Sequence, residues 1–77
     1  MQSLVDDINK NLSANIFGDV ACDGLHAYVV VELEYFTRLD TDSRRLILTT
    51  IRDEWRDEFD GERITFKTWD GSIIAEM

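Results

Sequence analysis

Residues 25–36, LHAYVVVELEYF, leave a chain like this few folds to choose from. Read with period two, Leu25, Ala27, Val29, Val31, Leu33 and Tyr35 share one face, and every one is apolar. The other face, His26, Tyr28, Val30, Glu32, Glu34 and Phe36, is mixed. β-Branched and aromatic side chains fit a pleated, half-buried surface, so the stretch reads as a central strand with one face in the core.

Just before it, residues 16–22 alternate in the same way and are separated from it by Asp23-Gly24. Asp-Gly between alternating runs is a two-residue hairpin signal, because both central residues of that turn need positive φ. Such a loop pairs Cys22 with Leu25, Val20 with Ala27, Gly18 with Val29 and Ile16 with Val31, all on the core face. It sets Ala21 opposite His26, Asp19 opposite Tyr28 and Phe17 opposite Val30 on the other. A one-residue slip would drive Asp19 into the core, so the pattern favours this register.

The same logic predicts a second hairpin, residues 62–68 and 73–77 around Asp70-Gly71. It pairs Thr68 with Ile73, Phe66 with Ala75 and Ile64 with Met77. Each hairpin follows a helical stripe. Over 3–14, Leu4, Val5, Ile8 and Leu12 fall on one side, with Ser3 as N-cap and Asp6 three residues on. Over 41–59 the stripe is Ile47, Leu48, Ile51, Trp55 and Phe59, with Asp40 or Thr41 as N-cap and Gly61 at the C-cap. The expected fold is α+β: one domain over residues 1–77, ordered α-β-β-α-β-β. Its four-stranded sheet is mainly antiparallel, with both helices packed on one face.

Composition narrows the function classes. Cys22 is the sole cysteine and His26 the sole histidine, so neither an internal disulfide nor a closed zinc site can form, and no metal or cofactor is expected. No apolar run is long enough to cross a bilayer, and the first ten residues lack the pattern of a secretory signal, which reads as a cytoplasmic protein with no membrane partner. The net charge is −8, from 16 acids and 8 bases. Nucleic-acid binding needs clustered Lys and Arg, so direct DNA or RNA binding is disfavoured. Acidity also serves solubility, and ten Asp against two Lys suits life at high salt.

Three features could carry function. Asp53, Glu54, Asp57, Glu58, Asp60 and Glu62 crowd the end of the second long helix, where negative charge opposes the helix dipole and like charges stand four residues apart. Helix stability does not explain them. A solvated acidic face competes with a patch that docks a basic protein partner. Phe17, Tyr28, Val30, Phe36, Trp69 and Ile74 alternate away from the helices and form a candidate self-association face for a homodimer. His26 is the sole general-base candidate at neutral pH, and Cys22 falls on the opposite face of the hairpin, so the two make no catalytic dyad. The expected function is therefore a small acidic interaction module, an adaptor or inhibitor, and no catalytic residue is assigned. Its size and acidity would suit a nucleic-acid mimic, an analogy of class. The alternative is a small-ligand binder or enzyme whose pocket forms around His26 and the aromatic face on dimerisation.

Overall fold

The computed structural model describes residues 2–12 and 15–77. The elements run α1 (Gln2–Leu12), β1 (Phe17–Asp23), β2 (His26–Val31), α2 (Leu33–Phe36), α3 (Thr41–Phe59), β3 (Arg63–Lys67) and β4 (Ile73–Glu76). This is an α+β fold built on one four-stranded sheet of order β1-β2-β3-β4. The sheet is mixed, which corrects the expectation of a mainly antiparallel one. Both hairpins are antiparallel, but β2 and β3 run parallel, with His26 beside Arg63 and Val30 beside Lys67. Parallel neighbours need a crossover connection, and the 19-residue α3 supplies it. No helix among the described residues is long and apolar enough to cross a membrane.

The central strand is shorter than its alternation suggests. It ends at Val31, and residues 33–36 form the single turn α2, with the amides of Tyr35 and Phe36 bonded to the Glu32 carbonyl at 3.1 and 3.0 Å. The turn places Phe36 in the core and leaves Leu33 and Tyr35 exposed. Leu25, also expected in the core, lies in the β1–β2 turn and is exposed.

The first hairpin shifts by two residues. Asp23 pairs with His26, Cys22 with Ala27, Ala21 with Tyr28 and Val20 with Val29, so the turn residues are Gly24 and Leu25. An even shift leaves every face unchanged, which is why the core pattern survives it. A bulge then intervenes, and Phe17 pairs with Val31 in place of Val30. That odd step turns Phe17 into the core. Cys22 is exposed rather than buried: it shares the core-side parity of Ala27 but stands near the hairpin end of an edge strand.

The second hairpin keeps the expected Phe66–Ala75 pair, and Ile64 and Met77 exchange backbone bonds at 3.0 and 2.9 Å. Nearer the turn the loop is longer. Gly71 (φ 92°) donates to Thr68 and Thr68 to Ser72, which makes a three-residue loop closed by a glycine in left-handed geometry. A further shift pairs Lys67 with Ile73. Ile74 consequently packs against the core, and Ile73 takes the side of Lys67.

The core joins Val5 of α1 and Leu48, Ile51 and Trp55 of α3 to Ala27, Val29, Val31, Ile64 and Phe66 of the sheet. α1 is also fastened by side-chain amides. Asn9 Oδ1 accepts from the amides of Ile16 and Phe17, both at 2.9 Å, and Asn9 Nδ2 donates to the Phe17 carbonyl at 2.8 Å. Gln2 Oε1 accepts from the Val20 amide at 3.0 Å. Backbone groups along the outer edge of β1 are thereby occupied, which blunts the edge. Ser3 lies within α1 and is not its N-cap; of the helix expected over 3–14, positions 13 and 14 lie outside the described residues.

α3 spans the range its stripe predicts. Asp40 occupies the N-cap position without an aligned capping bond. The hydroxyl and backbone amide of Ser43 still hold its carboxyl below the ordinary aspartate range, with Arg44 adding to the effect. At the other end the left-handed residue is Asp60 (φ 53°), not Gly61. Gly61 serves a different purpose: a Cβ there would lie 2.0 Å from Cε2 of Trp55, so only glycine lets the backbone pass against the indole. The indole N–H then donates to the Arg63 carbonyl at 2.9 Å, which satisfies a nearly buried donor.

Candidate functional site

The acidic end of α3 is held against the β1–β2 turn. The amides of Glu62 and Arg63 both donate to the Leu25 carbonyl, at 2.9 and 3.1 Å, and the Gly61 amide returns to the Trp55 carbonyl at 2.9 Å. Asp53, Asp57, Glu58, Asp60 and Glu62 are exposed, and Glu54 is half-buried. Arg52 reaches Asp53 Oδ1 through Nε and Nη2, both at 3.1 Å. Among the described residues no other ion pair touches these six acids.

The same end exposes two large apolar side chains that the sequence pattern assigns to the core. Phe59 is 46% and Leu25 48% exposed. Phe59 is the last residue of α3, one turn past Trp55, and its ring stacks on the indole at 6.0 Å between centroids. The stripe of α3 thus runs one turn beyond the sheet it covers. The available signal was its position: a stripe residue immediately before the cap projects past the packed layer.

The face of the sheet opposite the core cluster is more polar than expected. Of the six side chains assigned to it, Phe17 and Phe36 belong to the core, Ile74 packs against the core, and Val30 is buried. Tyr28 is half-buried there. Its ring stacks on His26 at 4.2 Å and 15°, and the Lys67 ammonium stands 5.6 Å over it. His26 Nε2 is 2.7 Å from the Thr65 hydroxyl, and the Tyr28 hydroxyl is 3.3 Å from His26 Nδ1. A proton on Nε2, donated to Thr65, leaves Nδ1 free to accept from Tyr28. Thr65 is 3% exposed and was not anticipated as a partner of His26, because that contact depends on the parallel β2–β3 pairing. A cavity of about 120 Å³ adjoins this pair, lined also by Arg63, Glu76 and Met77. Its size admits a few waters or a small ion.

Trp69 is 59% exposed. From the β3–β4 loop it reaches back toward β1, where a Cβ on Gly18 would lie 2.7 Å from its Cζ2, and its indole N–H donates to Glu32 Oε1. Among the described residues, no group of three His, Cys, Asp or Glu side chains is disposed to hold a metal ion. No family model matches the sequence, and neither a curated protein nor a solved structure resembles it closely enough to be matched.

Proposed function

We propose that the protein is a small acidic interaction module that docks a basic protein surface through the end of α3. The observation that supports this best is the combination at that end: exposed Phe59 and Leu25 beside Asp53, Glu54, Asp57, Glu58, Asp60 and Glu62. Binding energy concentrates in a few aromatic anchors, while surrounding charge steers the encounter and selects the partner. Helix stability does not account for the acids within α3, since Asp53 and Asp57, and Glu54 and Glu58, set like charges four residues apart toward its C-terminus. An inhibitor that occupies a nucleic-acid-binding surface would present this chemistry. A single cysteine and no disulfide suit a cytoplasmic setting.

The reading also places both helices on one face and assigns the opposite face to a second copy. That face mixes Arg63 and Lys67 with Asp23 and Glu76, so two copies can meet there without juxtaposing only like charges. Ile73, 61% exposed beside Lys67, supplies apolar area. A second reading, binding of a small ligand at His26, is favoured by the 2.7 Å contact to Thr65 and the adjoining cavity.

Affinity capture from host lysate at low and high salt tests the main reading. The native chain is compared with Phe59→Ser and with the triple variant Asp53→Asn, Asp57→Asn, Glu58→Gln. Both variants should lose the salt-sensitive partner. Retention of the same partner by both overturns the reading.

A further inference from the structure

At the far end of the sheet, an open groove of about 410 Å³ lies between the β3–β4 loop and the start of α2. Val31 and Leu33 give it an apolar floor and side, Trp69 forms one wall, and Glu32 and Asp70 supply two carboxylates; among the described residues no basic one lines it. Trp69 is an exposed aromatic that is nonetheless fixed in place. Its indole N–H is held by Glu32, and its ring lies so close to Gly18 that no side chain fits between them. Asp70 is fixed as well: its Oδ1 accepts from the Thr68 hydroxyl and, at 3.0 Å, from the Ser72 amide. Among the described residues, the hydrogen bonds that fix Trp69 and the loop go to one oxygen of each carboxylate, Glu32 Oε1 and Asp70 Oδ1.

We propose that this groove receives one organic cation, the guanidinium or ammonium head of an arginine or lysine side chain on a partner protein, against the π face of Trp69. The chemistry is complementary. An indole face attracts a cation through its quadrupole, and indole is the strongest side chain in this respect. Flanking carboxylates add direct attraction and hydrogen-bond acceptors for the N–H groups. A platform already immobilised loses little freedom on binding. The groove is separate from the acidic end of α3, because the parallel strands β2 and β3 run from that end to this one. The two sites therefore stand or fall independently.

The test uses the 15N-labelled chain, whose two indole N–H signals belong to Trp55 and Trp69. Titration with Nα-acetylarginine methyl ester, whose only cation is the guanidinium, should move the Trp69 signal and leave that of Trp55, buried and bonded to Arg63, in place. Nα-acetylcitrulline methyl ester, the uncharged isostere, should move neither. Asp70→Asn should weaken the arginine ester about two- to fivefold, as the loss of one exposed charge contact implies. Glu32→Gln, which keeps an oxygen to accept from the indole, should do the same and serves should Asp70→Asn not fold. A Trp69 signal that stays put at high millimolar arginine ester overturns the assignment, as does equal movement with citrulline. Unchanged affinity in the folded carboxylate variants overturns it too.

Discussion

Gly61 and Trp55 occupy each other's space: a single carbon added to Gly61 would overlap three atoms of the indole, at 2.0, 2.1 and 2.4 Å. The close approach seats the indole N–H on the Arg63 carbonyl and locks the exit of α3 onto the start of β3. The acidic patch depends on this lock, since Asp60 and Glu62 flank the glycine.

Gly61→Ala should therefore destabilise the fold by about 1–3 kcal/mol, the usual cost of forcing extra volume into a packed site. Trp55→Phe removes the indole donor and leaves the Arg63 carbonyl without it, a loss of about 1–3 kcal/mol. Urea unfolding of both variants measures these. Because the two residues touch, the double variant should cost less than the sum.

Asn9 satisfies three backbone groups of the segment that enters β1. Asn9→Ala should cost about 2–3 kcal/mol by leaving part-buried amides unpaired. Hydrogen exchange of the Ile16 and Phe17 amides provides the local readout, and both should exchange faster.

Cys22 is exposed near the end of β1. A thiol reagent should modify it in the native protein at a rate near that of the unfolded chain, with fluorescence unchanged. Slow native labelling would contradict the observed hairpin.

Neutralising Asp53, Asp57 and Glu58 should leave the fold intact or stabilise it by a few tenths of a kcal/mol per relieved contact, about the size of exposed helix charge effects. Thermal unfolding in low salt checks the sign. High salt should narrow the difference, because exposed charges are screened.

Asp70 is held below the ordinary aspartate range first by the Thr68 hydroxyl and then by the Ser72 amide. A folded value below the unfolded one contributes stability that is complete above the unfolded range and lost as pH falls through the folded value. Asp70→Asn should thus unfold more easily than the native chain at neutral pH, with the gap closing only in acid. Urea midpoints over a pH series measure it. A gap that widens on acidification would contradict the assigned sign.

Local pattern was enough for much of this protein. The stripe and flanking residues of α3 gave its limits, because both signals lie within the helix itself. The two hairpins were likewise readable from alternation and turn residues, and the exposed acids at the end of α3 from their run. Tertiary structure decided what period-two alternation cannot encode. Each bulge adds one residue and reverses the faces beyond it, which sent Phe17 and Ile74 to the core and Ile73 to the open side. Val31 ends β2 because residues 33–36 gain more as a turn that buries Phe36 than as a longer strand. The parallel pairing of β2 and β3 joins residues 37 positions apart, and only that pairing brings Thr65 to Tyr28 and the Thr65 hydroxyl to His26. Contacts of that range follow from how the layers pack, where the whole core competes for the lowest free energy, and no local spacing carries them.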